Sequence, residues 1–183
     1  QVQYVARAGY FVRRGYEYTG ALKILKVILS YDYLWINIRV KGGAYGCMSG
    51  FNRVGDGYLV SYRDPNLKKT NEIFEGTVDF VKNFTVSDRD MTKYIIGTIG
   101  DLDSPLTPSS KGNRSMTAYL SNLTYEDIQK EREQVLTATE ESIRKLSGII
   151  EAILADGDIC VLGNETRLEE QKEMFATLCN LFS

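Results

Sequence analysis

Between Asn37 and Phe51 the chain reads NIRVKGGAYGCMSGF, setting Arg39 and Tyr45 on either side of the paired glycines Gly42 and Gly43. Arginine supplies a permanently charged planar fork and tyrosine a neutral hydroxyl donor, so together they could hold oxygen acceptors. Each also has a plain structural use: an arginine in the last turn of a helix complements the helix dipole, and a tyrosine at the start of a strand packs. Taken alone, each residue favours the structural use.

The other candidate groups narrow the chemistry by exclusion. With no histidine in 183 residues, a serine or cysteine triad of the usual kind and any histidine-based metal site are excluded. KGGAYG has glycines that would let backbone amides approach an anion. A Walker loop, however, needs Gly-Lys followed by Ser or Thr, and a dinucleotide loop leads from strand into helix. Here the order is helix, glycines, strand. The carboxylates of NETRLEEQKEMF alternate with Arg167 and Lys172 at helical spacing, which describes a solvated helix face rather than an acid–base pair. Cys47, Cys160 and Cys179 are odd in number and far apart, fitting neither a disulfide framework nor a zinc cluster; buried free thiols are expected.

The elements that must position Arg39 and Tyr45 follow from periodicity. Residues 2 to 12 alternate as a strand. Thr19 caps a helix through Leu22, Leu25, Ile28 and Leu29, SYDY interrupts it, and a second short helix runs from Leu34 to Val40 until Gly42 and Gly43 end it. Strands Ala44 to Arg53 and Tyr58 to Arg63 form a hairpin around the Asp56-Gly57 pair. Helices are expected from Leu67 to about Phe84, from a Ser87/Asp90 capping box to about Gly100, from Ser115 to Leu120, from Thr124 with Asp127 behind it, and from about Thr139 to Ala155. DLDSPLTPSSKGN reads as a turn and DGDICVLGN as a short buried strand. A last amphipathic helix carries Leu168, Met174, Phe175, Leu178 and Leu181. Four strands with most helices between the third and fourth predict an α+β fold, a two-layer domain with a largely antiparallel sheet and helices packed on one face.

The bulk numbers suit one compact domain over residues 1–183, since 43% of the residues are hydrophobic. Lys plus Arg total 22 against 24 for Asp plus Glu, so a net charge of −2 gives no pull toward nucleic acid or an anionic membrane. No apolar run reaches the roughly 18 residues of a membrane span, and the start has no signal-peptide pattern. Beginning at Gln1 directly in a strand-like run, the sequence reads as a domain cut from a longer protein.

YLWINIRVKGGAYG, then GYLVSYRDPNLKKT, IIGTIGDLDSP and KGNRSM together resemble the C-terminal domain of the insulinase/pitrilysin-type zinc metallopeptidases, presequence protease subfamily. The resemblance covers essentially the whole chain, and its most specific parts are Arg-x-x-Gly-Gly-Ala-Tyr-Gly and Ser-Tyr-Arg-Asp-Pro-Asn. It implies an endopeptidase for unstructured peptides, built of two halves that close over a chamber, with zinc held by an inverted His-x-x-Glu-His motif in the N-terminal half. The chain lacks that motif, so zinc is expected outside it and the chain alone is expected to be inactive.

By the same resemblance Arg39 and Tyr45 reach the active site from the C-terminal half. Tyr45 would donate to the oxyanion of the hydrolytic step, and Arg39 would grip the substrate backbone. Tyr62, Arg63 and Asp64 are read as structural, Asp64 stabilising the turn at Pro65. The implied partners are peptide substrates and the N-terminal half of the same polypeptide. The implied compartment is cytoplasmic for a bacterial protein, mitochondrial or plastid for a eukaryotic one. The alternative is a noncatalytic binding or assembly module of the insulinase type.

Overall fold

Strand β1, Gln3–Tyr10, shows in burial the alternation seen in its sequence: Gln3, Val5, Arg7 and Gly9 are covered, while the side chains between them face outward. The computed structural model describes residues 2–180. β2 (Gly46–Phe51), β3 (Asp56–Asp64) and β4 (Asp158–Leu162) complete a sheet of order β2-β3-β1-β4, every neighbouring pair antiparallel. Helices α1 (Ala21–Ile28), α2 (Lys68–Lys82) and α7 (Ser147–Ala155) pack on one face, around a core containing Leu25, Ile28, Leu59, Phe74 and Ile150. This is the expected two-layer α+β arrangement.

Two features seat α7 on the sheet. Gly9 and Gly57 are register partners on β1 and β3, and a Cβ on either would collide with Ile153, at 2.0 Å from its backbone oxygen for Gly9 and 2.1 Å from its Cδ1 for Gly57. The bare backbone lets α7 approach. Beside it, the buried Arg7 donates to the Leu154 carbonyl at 2.9 Å, near the negative end of α7, and to Asn71 Oδ1 of α2 at 2.6 Å. One guanidinium therefore joins the central strand to two of the covering helices, α2 and α7.

The opposite face of the sheet is open. Tyr4, Met48, Tyr58 and Leu162 are 42% to 52% exposed there, with Tyr10, Val60 and Tyr62 half-buried beside them. Gly46 and Gly50 lie beneath the rings of Tyr62 and Tyr58, where any Cβ would come within 2.5 Å of ring atoms. Aromatic rings thus cover backbone that no helix covers.

Several expectations are corrected. SYDY does not break the first helix, because the chain continues in wide turns through Leu29–Tyr33 and Trp35–Val40. The hairpin turns at Asn52–Gly55 rather than at Asp56-Gly57. Asn52 Oδ1 accepts from the N–H groups of Gly55 and Asp56, Gly55 takes φ 108°, and Gly57 is a packing glycine already inside β3. The expected turn from residue 101 to 113 is shorter, since α3 (Asp88–Leu102) runs into it and α4 (Pro108–Leu120) starts early, with Thr107 as its cap and Pro108 in the first turn. α5 (Tyr125–Leu136) has the Thr124/Asp127 capping box. The long helix expected from Thr139 divides into α6 (Glu140–Arg144) and α7.

β4 is an exposed edge strand, not a buried one; after Asp158 its residues are apolar on both faces because the open face it joins is apolar too. The last amphipathic helix stops after α8 (Glu165–Glu169) and a single tight turn at Lys172–Met174, while Leu168, Met174 and Phe175 still lean on the core. Leu181 lies outside the described residues. Among the described residues no helix is long and apolar enough to cross a membrane.

The cysteines are not all buried: Cys160 and Cys179 are exposed, and Cys47 is half-buried. Burial pushes the Cys47 thiol up to about 11, against a smaller downward pull from Arg39. At pH 8 its thiolate is about one part in a thousand, so maleimide or disulfide reagents should label two thiols quickly and Cys47 slowly, its rate climbing until about pH 11. Rapid labelling of all three at pH 8 would contradict this environment. Gly9→Ala, which sets a Cβ against backbone, should cost about 1–3 kcal/mol in urea unfolding, whereas Gly57→Ala should cost less because the end of Ile153 can swing aside. Equal losses would show that the Gly9 contact is not rigid.

Candidate functional site

The segment that holds Arg39 is wound more loosely than an α-helix. Lys41 N–H reaches back five residues to the Ile36 carbonyl, at 2.9 Å, in the turn that carries Arg39. Such wide turns are rare and concentrate at functional sites. Ile38 is fully buried, while Trp35, Ile36 and Val40 are exposed. The chain then reverses at Gly43, which takes the left-handed φ of 80° expected of a helix-ending glycine. Gly43 N–H donates to the Arg39 carbonyl at 3.0 Å and Ala44 N–H to that of Ile38 at 3.1 Å. Gly42 is required for another reason: a Cβ there would lie 2.4 Å from the Ile38 carbonyl oxygen.

This reversal brings Arg39 and Tyr45 together. Arg39 Nη1 donates to the backbone carbonyl of Tyr45, and its guanidinium lies 4.4 Å from the centre of the Trp35 ring and 5.7 Å from that of Tyr45. Tyr45 is 58% exposed, so its hydroxyl-bearing ring is accessible. Tyr45 N–H donates to the Arg63 carbonyl at 3.2 Å, the Arg63 guanidinium sits 5.4 Å from the Tyr45 ring centre, and Tyr62 packs at 5.5 Å between ring centres. Two cations and the Tyr62 ring therefore flank one exposed phenol, with Trp35 stacked on Arg39.

Three members of this cluster were not predicted as site residues. Trp35 lies four residues before Arg39, a helical spacing that could have marked it. Tyr62 and Arg63 were read as structural. Arg63 is exposed and carries a positive φ of 48°, next to the irregular pairing of β1 with β3. Asp64 matches its structural reading, its Oδ1 accepting from Asn66 N–H at 2.8 Å within the turn around Pro65.

A resident metal does not fit this chain. It has no histidine, and among the described residues no group of three His, Cys, Asp or Glu side chains converges.

Residues 1–165 match the family described as the PreP C-terminal domain. The chain is 48% identical over 174 residues to Protein HypA of Clostridium perfringens, covering 95% of this chain and 18% of that protein. It is 39% identical over 158 residues to Presequence protease 1, chloroplastic/mitochondrial, of Arabidopsis thaliana, covering 86% and 15% respectively. The chain thus spans less than a fifth of these curated relatives. Among solved structures, the peptidase M16 inactive domain from Pseudomonas fluorescens superposes with a TM-score of 0.60 at 15% identity, over 87% of this chain and 39% of that one, which speaks to the fold alone. On the match across nine-tenths of its length and the presequence protease relatives, the chain belongs to the PreP C-terminal domain family.

Proposed function

We propose that this chain is the substrate-facing C-terminal portion of a zinc-dependent endopeptidase that degrades unstructured peptides, with the zinc held elsewhere in the polypeptide. The observation that carries the proposal is the exposed Tyr45 ring fixed at its backbone by Arg39. A phenol so placed can donate to the oxyanion that forms when a peptide carbonyl is attacked, and a donor held in position beforehand costs no reorganisation at that moment. The chain's presequence protease relative in Arabidopsis agrees with a peptide substrate.

Arg39 then has two duties. One of its N–H groups holds the Tyr45 carbonyl and so fixes the strand from which the phenol projects. Its other donors are free to bind a substrate carbonyl and set the register of an extended peptide. Trp35 limits where the guanidinium can go by stacking on it. Arg63, on the other side of Tyr45, keeps a second positive charge near the phenol, where developing negative charge would be favoured.

In the full-length parent, Tyr45→Phe removes a hydrogen bond made chiefly in the transition state and should lower kcat by about 10²-fold or more while changing KM little. Arg39→Ala should raise KM and also lower kcat, because it releases both the substrate contact and the backbone of Tyr45. Arg39→Lys should recover only part of the loss, an ammonium lacking the planar fork. Zinc content should be the same in every variant. Near-normal kcat/KM for Tyr45→Phe and Arg39→Ala would return both residues to packing and helix-end roles, and a parent with no peptidase activity would favour the binding or assembly reading.

The isolated chain should hold no stoichiometric zinc after dialysis and should cleave no peptide, as metal analysis and a fluorogenic peptide assay would read. One tightly bound zinc per chain, with hydrolysis lost on chelation, would overturn the assignment of the metal to another part of the polypeptide.

A further inference from the structure

A second site lies away from the Arg39–Tyr45 cluster, where the wide-turn helix, the end of α2 and the start of α3 meet. The cleft there has a volume of about 270 Å³ and is lined by Asp32, Phe80, Phe84 and Tyr94 together with Asn83 and Val86. Phe80 and Phe84 meet edge to face at 6.0 Å between ring centres, and Phe84 and Tyr94 are tilted at 6.5 Å. The Tyr94 hydroxyl donates to Asp32. Burial and the Asp32 carboxylate both raise the Tyr94 phenol above its ordinary range, so it remains a protonated donor.

Charge and shape point the same way. Asp32 forms no ion pair among the described residues. None of the described cations pairs with Asp32: Lys93 is engaged with Asp90 and Arg144 with Glu140 and the Phe84 carbonyl, while Lys82 and Arg89 on the adjoining helix ends form no ion pair among the described residues. A half-buried carboxylate whose one recorded partner is a neutral phenol still has acceptor capacity, and the negative faces of aromatic rings attract cations. Cofactor and drug-sized ligands take roughly 300–1,000 Å³, so a cleft at the lower edge of that range suits one side chain rather than a whole cofactor.

We propose that the Asp32–Tyr94–Phe84–Phe80 cleft binds the cationic side chain of a peptide, an arginine or lysine, with the carboxylate as counter-ion and the rings as walls. The identity of the molecule bearing the cation rests on the peptidase reading; the cation preference does not. Targeting presequences are rich in arginine and poor in acidic residues, which suits such a subsite in a chain related to presequence proteases.

The test uses the whole 183-residue chain and no hydrolysis, so a parent without peptidase activity would leave its outcome unchanged. N-acetyl-arginine amide, titrated while the NMR signals of Phe80, Phe84 and Tyr94 are followed, should give saturable shifts at millimolar concentration. The neutral isostere N-acetyl-citrulline amide should give at least about tenfold weaker shifts. Asp32→Asn should weaken arginine binding by about tenfold or more, while Tyr94→Phe, which keeps the ring, should hold it within about threefold. An unstructured peptide with a single arginine should bind more tightly than the amide, through contacts of its backbone. Equal shifts from arginine and citrulline on the unaltered chain would overturn the proposal, as would unchanged binding by a folded Asp32→Asn variant. A peptide that binds more weakly than the amide would rule out a peptide side chain as the occupant.

Discussion

A carboxyl group with no exposure to water sits at the end of β3. Asp64 accepts from Asn66 N–H at 2.8 Å and from the Thr70 hydroxyl at 2.7 Å, and forms no ion pair among the described residues. Such a group is costly to bury unless hydrogen-bonded, so the chain around it has little freedom. Thr70 belongs to the first turn of α2, and Asn66 in turn donates its side-chain amide to the Gly42 carbonyl at 2.6 Å. Through two short links, one buried side chain joins the end of the central hairpin, the start of a core helix and the glycine reversal that sets Arg39 against Tyr45.

Much of the fold was legible because its signals were local. Alternation in β1, the caps at Ser87 and Thr124 and the reversal at the paired glycines each depend on a few neighbouring residues. What escaped depended on distant contacts. SYDY resembles a break, yet the Tyr33 hydroxyl donates to the Ile73 carbonyl and its ring stacks on Phe80, so tertiary packing holds the chain helical through that stretch. Gly57 resembled a turn residue because its true neighbour, Ile153, lies nearly a hundred positions away. The Arg39–Tyr45 pairing itself was suggested by resemblance rather than by periodicity, and Trp35 and Arg63 joined it only when the wide turns and the β3 irregularity had been placed.

The sheet divides its two faces by different means. On the covered side, glycines admit a helix; on the open side, glycines are overlaid by tyrosine rings. The same residue type therefore serves close approach of backbone in one layer and a bed for aromatics in the other. The result is an apolar surface of exposed Tyr4, Met48, Tyr58 and Leu162 on one side of a well-packed core.

Trp35 is the only tryptophan in the chain, and it lies under the Arg39 guanidinium. Indole emission responds to a cation against its face and to the polarity around it. The protein therefore carries an intrinsic optical probe at the arginine held beside Tyr45, and no dye need be attached to follow that side chain as it leaves its stacked position or returns to it.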